Sequence, residues 1–217
     1  MPNTDRRQIA EIFARAGIRQ GMVVRSAAIL PSKNSPDATR ALPQAGDDGA
    51  FFWTLTTEQP SVVFDWERYD FVDEILLSDG IVIPDSGQIP LLNAHSRYSV
   101  EDQLGSVRGF TLGQSGAFRS LDASVYFSEA DDISRSARAK VLEGHLTDGS
   151  VGYRVEKSIY IPEGEEAYVQ GKVYKGPVKV SYRAKIMEFS VTPIGADALA
   201  KVRVLCQGQN WQPLKGR

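Results

Sequence analysis

From Phe51 onward the chain is built of short runs of aromatic and β-branched residues, many of them alternating with polar positions. Such runs, separated by Gly, Pro, Asp and Ser, are typical of β-strands joined by turns. Strands are predicted in the following stretches: FFWTLTTE, SVVFDWERYDFVDEILL, GIVIPDSGQIPLLNAH (two runs around a Pro/Gly turn), LGSVRGFTLG, AFRSLDASVYFS, SVGYRVEKSIYI, residues 167–174, and VKVSYRAKIMEFSVTPI.

Helical spacing of apolar residues is found in three places. In EADDISRSARAKVLEGHL the acidic residues come first and basic residues follow, while Ile133, Ala137 and Val141 are spaced four apart. This pattern predicts an amphipathic helix that stops near Asp148, with charges placed to suit its dipole. Shorter helices are predicted over residues 6–16 and in ADALAKVRVL.

The order of these elements indicates a mainly β protein with peripheral helices, of the α+β class. A mostly antiparallel β-barrel or closed sheet fits this order better than a βαβ fold. Residues 31–50 are rich in Pro, Ser, Asp and Gly, which indicates a loop or linker. We therefore expect an N-terminal helix and flexible arm at 1–50, a domain at 51–203 and a tail at 204–217.

Composition and charge narrow the classes of function. The formal net charge of -2 offers no basic field for nucleic acid, and no apolar run reaches the ~20 residues of a membrane helix. The polar N-terminus has no signal-peptide pattern, so a cytoplasmic protein is expected. The single cysteine, Cys206, excludes an internal disulfide, and two histidines argue against a multi-His metal site. Without a GxGxxG or Walker loop, no nucleotide-binding site is expected.

Three polar residues stand in unusual places. His95 ends an apolar run, Ser150 begins a strand after a helix and a glycine, and Glu188 interrupts an apolar strand. Nucleophilic catalysis needs a hydroxyl, a base within reach and a group that orients the base, which these residues could supply. Each also has an ordinary interpretation: a structural histidine, a turn or capping serine, and a glutamate on a wet strand face. The residues alone leave both interpretations open.

Three segments resemble, in the same order and with similar spacings, sequence blocks of the tailed-phage prohead (capsid maturation) serine proteases. The resemblance covers roughly residues 50–203. The segments are IPLLNAHSRYSVEDQLGSV, similar to a histidine block LLxxH followed by Gly-x-Val; DGSVGYRV, similar to a nucleophile block Ser-x-Gly-[Phe/Tyr]-x-Val; and MEFSVTPIGADALAKVR, similar to a block with Glu-x-Ser and a later Pro-Ala.

This resemblance implies the fold of herpesvirus assemblin proteases, a closed antiparallel β-barrel ringed by helices. It implies His95 as general base, Ser150 as nucleophile and Glu188 as the acid that orients the histidine. The herpesvirus relatives use a second histidine in the third position. His145, five residues before Ser150, is therefore the alternative to Glu188.

The resemblance also implies how the reaction is supported and where it takes place. The backbone N–H groups of Gly195 and Ala196 are the implied oxyanion donors, and no metal or organic cofactor is needed. The implied partners and substrates are the scaffold precursor, the major capsid protein and the protease itself, with self-association. The implied place of cleavage is the host cytoplasm, inside the assembling procapsid, and neither nucleic acid nor a membrane is an implied partner. The alternatives are a scaffolding or structural procapsid component with the same fold, and an unrelated β-barrel binding module.

Overall fold

The protein is mainly β, as its alternating pattern predicts, with one α-helix in the part of the chain that the structure describes. The computed structural model describes residues 23–24, 43–46 and 48–203. The predicted helix at 6–16, most of the linker at 31–50 and the tail at 204–217 lie outside the described residues, so the predicted division of the chain stays a prediction. The strands are β1 (Val23–Val24), β2 (Phe51–Thr57), β3 (Ser61–Asp65), β4 (Asp70–Leu76), β5 (Ile81–Val82), β6 (Gln88–Asn93), β7 (Gln103–Ser115), β8 (Phe118–Phe127), β9 (Asp148–Ile161), β10 (Glu166–Val169), β11 (Lys172–Lys175) and β12 (Val178–Thr192); the helices are α1 (Asp132–Leu142) and the 3-10 helices Ser78–Gly80 and Val100–Asp102.

Two long strands, β9 and β12, form the centre of the main sheet and pair antiparallel along their length. The other edge of β12 pairs in parallel with β4, β5 and β6 in turn. From β6 the sheet continues through β7 and β8 to β2 with antiparallel neighbours. The sheet is therefore mixed: most neighbouring strands are antiparallel, as predicted, but the edge of β12 that pairs with β4, β5 and β6 is parallel. That strand is long enough for three earlier, shorter strands to pair with it end to end.

The main strand path of the sheet, from which β5 and the β4–β3 pair branch at β12, does not close on itself in the described part of the chain. Its order is β1-β9-β12-β6-β7-β8-β2, and no ladder joins β2 to β9, so the predicted closed barrel is not found. Residues 200–203 lie at this gap. Isolated bridges pair Val202 with Trp53 of β2 and Lys201 with Asp148 of β9, so a short irregular segment attaches to both strands.

A large apolar cluster forms the main core of the described residues, and a smaller second cluster includes Ile161 of β9 and Val180 of β12. Phe189 of β12 packs edge-to-face on Trp53 of β2, with ring centroids 5.6 Å apart, and both side chains are fully buried. Burying a side chain of this kind contributes about 1.5–3 kcal/mol. The largest fully buried members of the main cluster are Phe51, Trp53, Leu55, Leu76, Ile89, Leu91, Leu104, Leu121, Tyr153, Ile186 and Phe189.

The buried stripe of helix α1 differs from the predicted one. Ala137 and Val141 are buried as expected, but the third buried residue is Ser134, whereas Ile133 is 47% exposed. Asp131 caps the helix by accepting from both Ser134 N–H and Ser134 Oγ, at 2.8 Å each. Because its hydroxyl is satisfied by the cap, Ser134 can be buried without penalty, and the stripe runs i, i+3, i+7 from it.

Helix α1 also ends earlier than predicted, at Leu142 rather than near Asp148. Gly144 adopts a positive φ of 75°, and its N–H donates to Val141 O at 3.0 Å. His145 N–H donates to Lys140 O at 2.9 Å. These two bonds form a Schellman motif, which satisfies the last carbonyls of the helix and turns the chain toward β9.

Two further predictions of single elements are wrong. Residues 167–174 form the hairpin of β10 and β11, because Gln170 and Gly171 both have positive φ and build a two-residue turn. The stretch ADALAKVRVL shows no helix up to residue 203. Asp197 accepts from Thr57 N–H at 2.6 Å and from Leu199 N–H at 2.9 Å, which holds a turn instead.

The carboxyl group of Asp122 is buried beside Arg203. Asp122 of β8 is 3% exposed, and burial raises its pKa. Arg203, whose Nη2 lies 3.4 Å from Asp122 Oδ1, offsets this effect only in part. Arg203 has two other partners, Thr54 Oγ1 at 2.5 Å and Gln114 O at 3.1 Å. The ionised form of Asp122 is therefore disfavoured in the folded state relative to the unfolded chain.

We predict that Asp122→Asn increases the free energy of unfolding at neutral pH. A carboxyl whose pKa is raised on folding destabilises the fold above that pKa, and a tenfold change in its acid dissociation constant corresponds to about 1.4 kcal/mol. The gain should shrink as pH falls and vanish below the unfolded value of 3.8. Urea unfolding at pH 7 and pH 3.5 measures this difference.

The matched control is Asp148→Asn, because hydrogen bonds lower the pKa of Asp148 on folding. A lowered pKa stabilises the fold above the unfolded value, and this contribution is lost as pH falls through the folded value. Asp148→Asn should therefore destabilise at neutral pH. Equal signs for the two variants would contradict the electrostatic account.

Candidate active site

Polar residues of β9 and β12 share one face of the central strand pair, on the side away from the large core. In the antiparallel register Ser190 lies directly opposite Ser150, and Glu188 lies opposite Gly152. Directly opposite residues project to the same face. Their neighbours Phe189 and Val151 project to the other face, into the core. Ser150, Glu188 and Ser190 are nevertheless buried, with 4%, 2% and 0% exposure.

A β-bulge in β12 decides the direction of Glu188. The register shifts between Ile186, opposite Tyr153, and Glu188, opposite Gly152, so Met187 is the extra residue. Ile186 faces the core, and uninterrupted alternation would turn Glu188 the same way. The inserted residue reverses this, and Glu188 leaves the core face while Met187 is 42% exposed.

His95 is brought to this face by a tight turn at the end of β6. The parallel pairing with β12 sets Leu92 opposite Ser190. Ala94 and His95 both have positive φ, 46° and 63°, and Ser96 N–H donates to Asn93 O at 2.8 Å. Two consecutive left-handed residues closed by this bond form a type I′ turn. This conformation is strained for residues other than glycine and persists only when the surroundings hold it.

Two bonds from the turn to β12 hold this strained backbone. Ala94 N–H donates to Val191 O at 3.1 Å, and His95 N–H donates to Ser190 Oγ at 2.9 Å. The position of the histidine is therefore set by backbone contacts to the strand that also carries Glu188.

The side chains of His95 and Glu188 form a short hydrogen bond, with Nδ1 and Oε1 2.7 Å apart. The second carboxylate oxygen, Oε2, accepts from Ser190 Oγ at 2.8 Å. The histidine side chain is 17% exposed and that of Glu188 3%. Both oxygens of the carboxylate thus have a partner, which a buried acid requires.

The carboxylate of Glu188 passes over Gly152 of the neighbouring strand to contact His95. A Cβ built on Gly152 would overlap with Oε1 and Cδ of Glu188. Any side chain at this position would push the carboxylate away from Nδ1 of His95. The glycine two residues after Ser150 is therefore a requirement of the Glu188 position, since the space above it is filled by the carboxylate.

Ser190 is the residue on this face that adjoins each of the three predicted site residues, His95, Glu188 and Ser150. Ser190 contacts the first two by hydrogen bonds and is the cross-strand neighbour of Ser150. His145, the alternative third member, lies at the end of α1 with a side chain that is 74% exposed, and its Nε2 is 3.7 Å from Glu143. The Nδ1 atom of His95 contacts Glu188 instead.

One of the two candidate oxyanion donors has another partner. Gly195 N–H donates to Asp148 Oδ2 at 3.1 Å, so this donor does not point freely at a substrate. The oxyanion roles of Gly195 and Ala196 stay predictions, and at Gly195 a bond to substrate would have to replace the bond to Asp148. In this chain Ile194 and Gly195 separate Pro193 from Ala196, where the similar sequence block has Pro-Ala. Gly195 lies against the first residues of β9, and a Cβ on it would crowd Gly149 O.

Asp148 fastens the segment after β12 to the start of β9. Besides Gly195 N–H, it binds Lys201 Nζ. Burial opposes ionisation of Asp148, but the hydrogen bonds from Lys201 and Gly195 and the lysine charge outweigh it and lower the pKa of the carboxyl. The ion pair with Lys201 and the hydrogen bond from Gly195 therefore attach both residues to Asp148, two positions before Ser150.

Sequence reasoning missed Ser190 and Gly152. Ser190 has the same i, i+2 relation to Glu188 that places two strand residues on one face, and this spacing was visible in EFS. Gly152 has the same relation to Ser150 in SVG. The signal that would have found them is cross-strand register, which one sequence does not supply.

Compared with protein-family models, curated proteins and solved structures, the chain matches none of them significantly. Among the described residues, no helix is long and apolar enough to span a membrane. Nor does any group of three or more His, Cys, Asp or Glu side chains there have an arrangement that could hold a metal ion.

We predict that Gly152→Ala destabilises the protein by about 1–3 kcal/mol, the usual range for overpacking a buried site. The reason is the collision of the new methyl group with the Glu188 carboxylate. In a Glu188→Ala background the carboxylate is gone, so the same substitution should be much less harmful. A double-mutant cycle by urea unfolding measures this coupling. Additive effects of the two substitutions would contradict the assigned contact.

Proposed function

We propose that the protein is a serine endopeptidase of the prohead maturation type, with Ser150 as nucleophile, His95 as base and Glu188 as orienting acid. The observation that carries the proposal is the 2.7 Å bond between His95 Nδ1 and Glu188 Oε1 on the face that also carries Ser150. A buried carboxylate bonded to a partly exposed imidazole beside a serine is the arrangement that activates a weak hydroxyl nucleophile.

The contact with Glu188 assigns different tasks to the two imidazole nitrogens. An ionised carboxylate only accepts hydrogen bonds, so Nδ1 of His95 carries the proton and donates it. Nε2 is then the basic nitrogen. It takes the proton from Ser150 Oγ as that oxygen attacks a peptide carbonyl, and the carboxylate stabilises the imidazolium that forms.

The second half of the reaction uses the same groups. The imidazolium gives its proton to the leaving amine as the C–N bond breaks, leaving an ester on Ser150 Oγ. Water, deprotonated by His95, then attacks the ester and returns the serine. The negative oxygen of each tetrahedral intermediate needs N–H donors, for which Ala196 N–H and, once it is released from Asp148, Gly195 N–H are the candidates.

Ser190 supports this chemistry as a positioning residue. Its hydroxyl donates to Glu188 Oε2 and accepts from His95 N–H. One side chain thus links the carboxylate to the strained turn that presents the imidazole. Pre-organisation of this kind avoids reorganising the base and the acid when the substrate binds.

The biological setting follows from the resemblance of the three sequence blocks and is part of the proposal. The fold would be of the herpesvirus-assemblin type, with residues 200–203 completing the gap between β2 and β9. The substrates would be scaffold and major capsid protein precursors and the protease itself, in a self-associating particle inside the procapsid. If Ser150 proves unreactive, the alternative function is that of a structural procapsid component with the same fold.

We predict that a fluorophosphonate probe labels Ser150. The probe forms a covalent bond with an activated serine, and mass spectrometry of the digested protein locates it. Ser150→Ala should lose the label, whereas Ser158→Ala, which changes an exposed serine of the same strand, should keep it. The unmodified protein should also shorten itself with time on a gel. Equal labelling of Ser150→Ala, or no labelling and no shortening, would count against an enzyme.

We further predict that Glu188→Gln keeps the fold but slows labelling and self-cleavage by about 10³–10⁴-fold, as loss of the orienting acid does in serine hydrolases. The amide can no longer act as acceptor at both of its terminal atoms, so the imidazole loses its preferred tautomer. Labelling rates and circular dichroism together make the measurement. Glu143→Gln is the control, since the Glu143 carboxylate lies near the exposed His145, with 3.7 Å between Glu143 Oε2 and His145 Nε2. An unchanged rate in Glu188→Gln would remove Glu188 from the mechanism.

A further inference from the structure

Two basic side chains lie on the same face of the central strand pair as the candidate site. Strand β9 alternates without a bulge from Ser150 through Gly152 to Arg154, so these three residues project to one face. Tyr153, between the last two, projects to the other face and is part of the main core. Lys185 of β12 lies directly opposite Arg154. Arg154 and Lys185, called the basic pair below, therefore continue the polar face beyond Gly152.

The basic pair is unfavourable for the sheet itself. Directly opposite residues have Cβ atoms about 4.5–5.5 Å apart, and like charges at this distance destabilise a sheet. The next outward-facing residues repeat the pattern, with Arg183 opposite Lys157. Basic residues often protect an exposed sheet edge from pairing. Strand β12 is not such an edge, because it pairs with β9 on one side and, at Lys185 itself, with β5 on the other. Edge protection therefore does not account for Lys185.

The charge of the basic pair is not compensated within the described part of the chain. Arg183 Nε donates to Glu156 Oε2 at 2.9 Å, which compensates Arg183. Arg154 and Lys185 have no ion pair with any of the described residues. Glu188, on the same face, has both carboxylate oxygens bonded, to His95 and Ser190. Arg154 is exposed and Lys185 is partly exposed. Two positive charges are therefore held side by side where an anionic group can reach them.

We propose that the basic pair binds acidic side chains of an extended peptide and so makes acidic segments the preferred substrates of the candidate site. The preference among substrates rests on the proposed function, whereas binding of an acidic peptide needs no catalysis. Arg154 is four residues from Ser150, about 13 Å along a strand that rises about 3.3 Å per residue. A peptide extended along β9 therefore meets the basic pair about four positions from the bond that is cut.

The charge of the whole chain favours a short acidic peptide over a nucleic acid as the ligand. The formal net charge is -2, so the basic pair is a local positive site in a weakly acidic molecule. Nucleic-acid binding relies on a wide basic surface, because affinity comes from many phosphate contacts. A single pair of opposed basic side chains matches instead one or two carboxylates.

The binding experiment uses the full chain with Ser150→Ala, so that nothing is cleaved. The probes are two fluorescent peptides of about twelve residues, one alternating alanine with glutamate and one alternating alanine with glutamine; in an extended chain this alternation sets all the polar side chains on one face. Fluorescence anisotropy gives each Kd. We expect the glutamate peptide to bind at least about fivefold more tightly than the glutamine peptide. Arg154→Gln and Lys185→Gln should each weaken its binding about threefold to fivefold, the range of one exposed charge pair.

The matched control is Lys140→Gln, which removes the same charge from an exposed position on helix α1 and should leave the Kd unchanged. Equal Kd values for the two peptides, or no binding of either, would overturn the proposal. So would an equal loss of binding in Lys140→Gln, since the attraction would then come from overall charge. Tighter binding of an oligodeoxythymidylate with the same number of negative charges would overturn it in favour of a nucleic acid.

Charge reversal separates binding from a structural role of the basic pair. Lys185→Glu turns two opposed like charges into an ion pair, so Tm should rise by about 1–4 °C at low salt. The rise should shrink at about 0.5 M salt, where exposed charges are screened. Binding of the glutamate peptide should fall further than in Lys185→Gln. A lower Tm for Lys185→Glu would mean that the lysine stabilises the fold, and would overturn the proposal.

Fluorophosphonate labelling of the protein with Ser150 intact distinguishes failure of this proposal from failure of the proposed function. Charge-dependent binding of the glutamate peptide without labelling of Ser150 would support the basic pair and reject the peptidase. Labelling of Ser150 without charge-dependent binding would reject the basic pair and support the peptidase.

Discussion

The antiparallel register between β9 and β12 is the constraint on which the candidate site depends. It sets Ser190 opposite Ser150 and Glu188 opposite Gly152, and the bulge at Met187 turns this polar set away from the core. A shift of one residue would move every side chain to the other face. The carboxylate would then lie among the apolar residues around Phe189, where no partner is available from His95. The register of β9 and β12 therefore determines whether the polar residues of the candidate site lie on one face.

Contacts with the rest of the fold hold His95 in a left-handed backbone conformation that a histidine does not itself favour. Two consecutive left-handed residues of this kind cost of the order of 1–3 kcal/mol each. The bonds from Ala94 N–H to Val191 O and from His95 N–H to Ser190 Oγ offset part of that cost. The imidazole then has little freedom left, because its backbone and its Nδ1 atom are both bonded to β12. Such strain is common where a side chain must be presented in one direction.

Local sequence patterns predicted most of the strands and the helix. They did not predict features that depend on contacts between residues far apart in the chain. The alternation of apolar and polar residues predicted most strands, because successive side chains on a strand point to opposite faces. It did not find the parallel pairings of β12 or the bulge at Met187, which depend on residues far apart in the chain. Ile133 matched a helical stripe as well as Ser134 did, and only the Asp131 cap decided between them. The roles of His95, Ser150 and Glu188 came from sequence blocks and stay predictions, whereas their arrangement required the register.

The missing side chain at Gly152 has a consequence for recognising related chains. A carboxylate can cross to a histidine here only if the facing strand carries no side chain, so the glycine and the glutamate should change together or not at all. The two strands then read Ser-x-Gly and Glu-x-Ser, with the first serine opposite the second and the glycine opposite the glutamate. This paired signature constrains four positions at once. It would distinguish a chain that retains this site from one that keeps only the sheet.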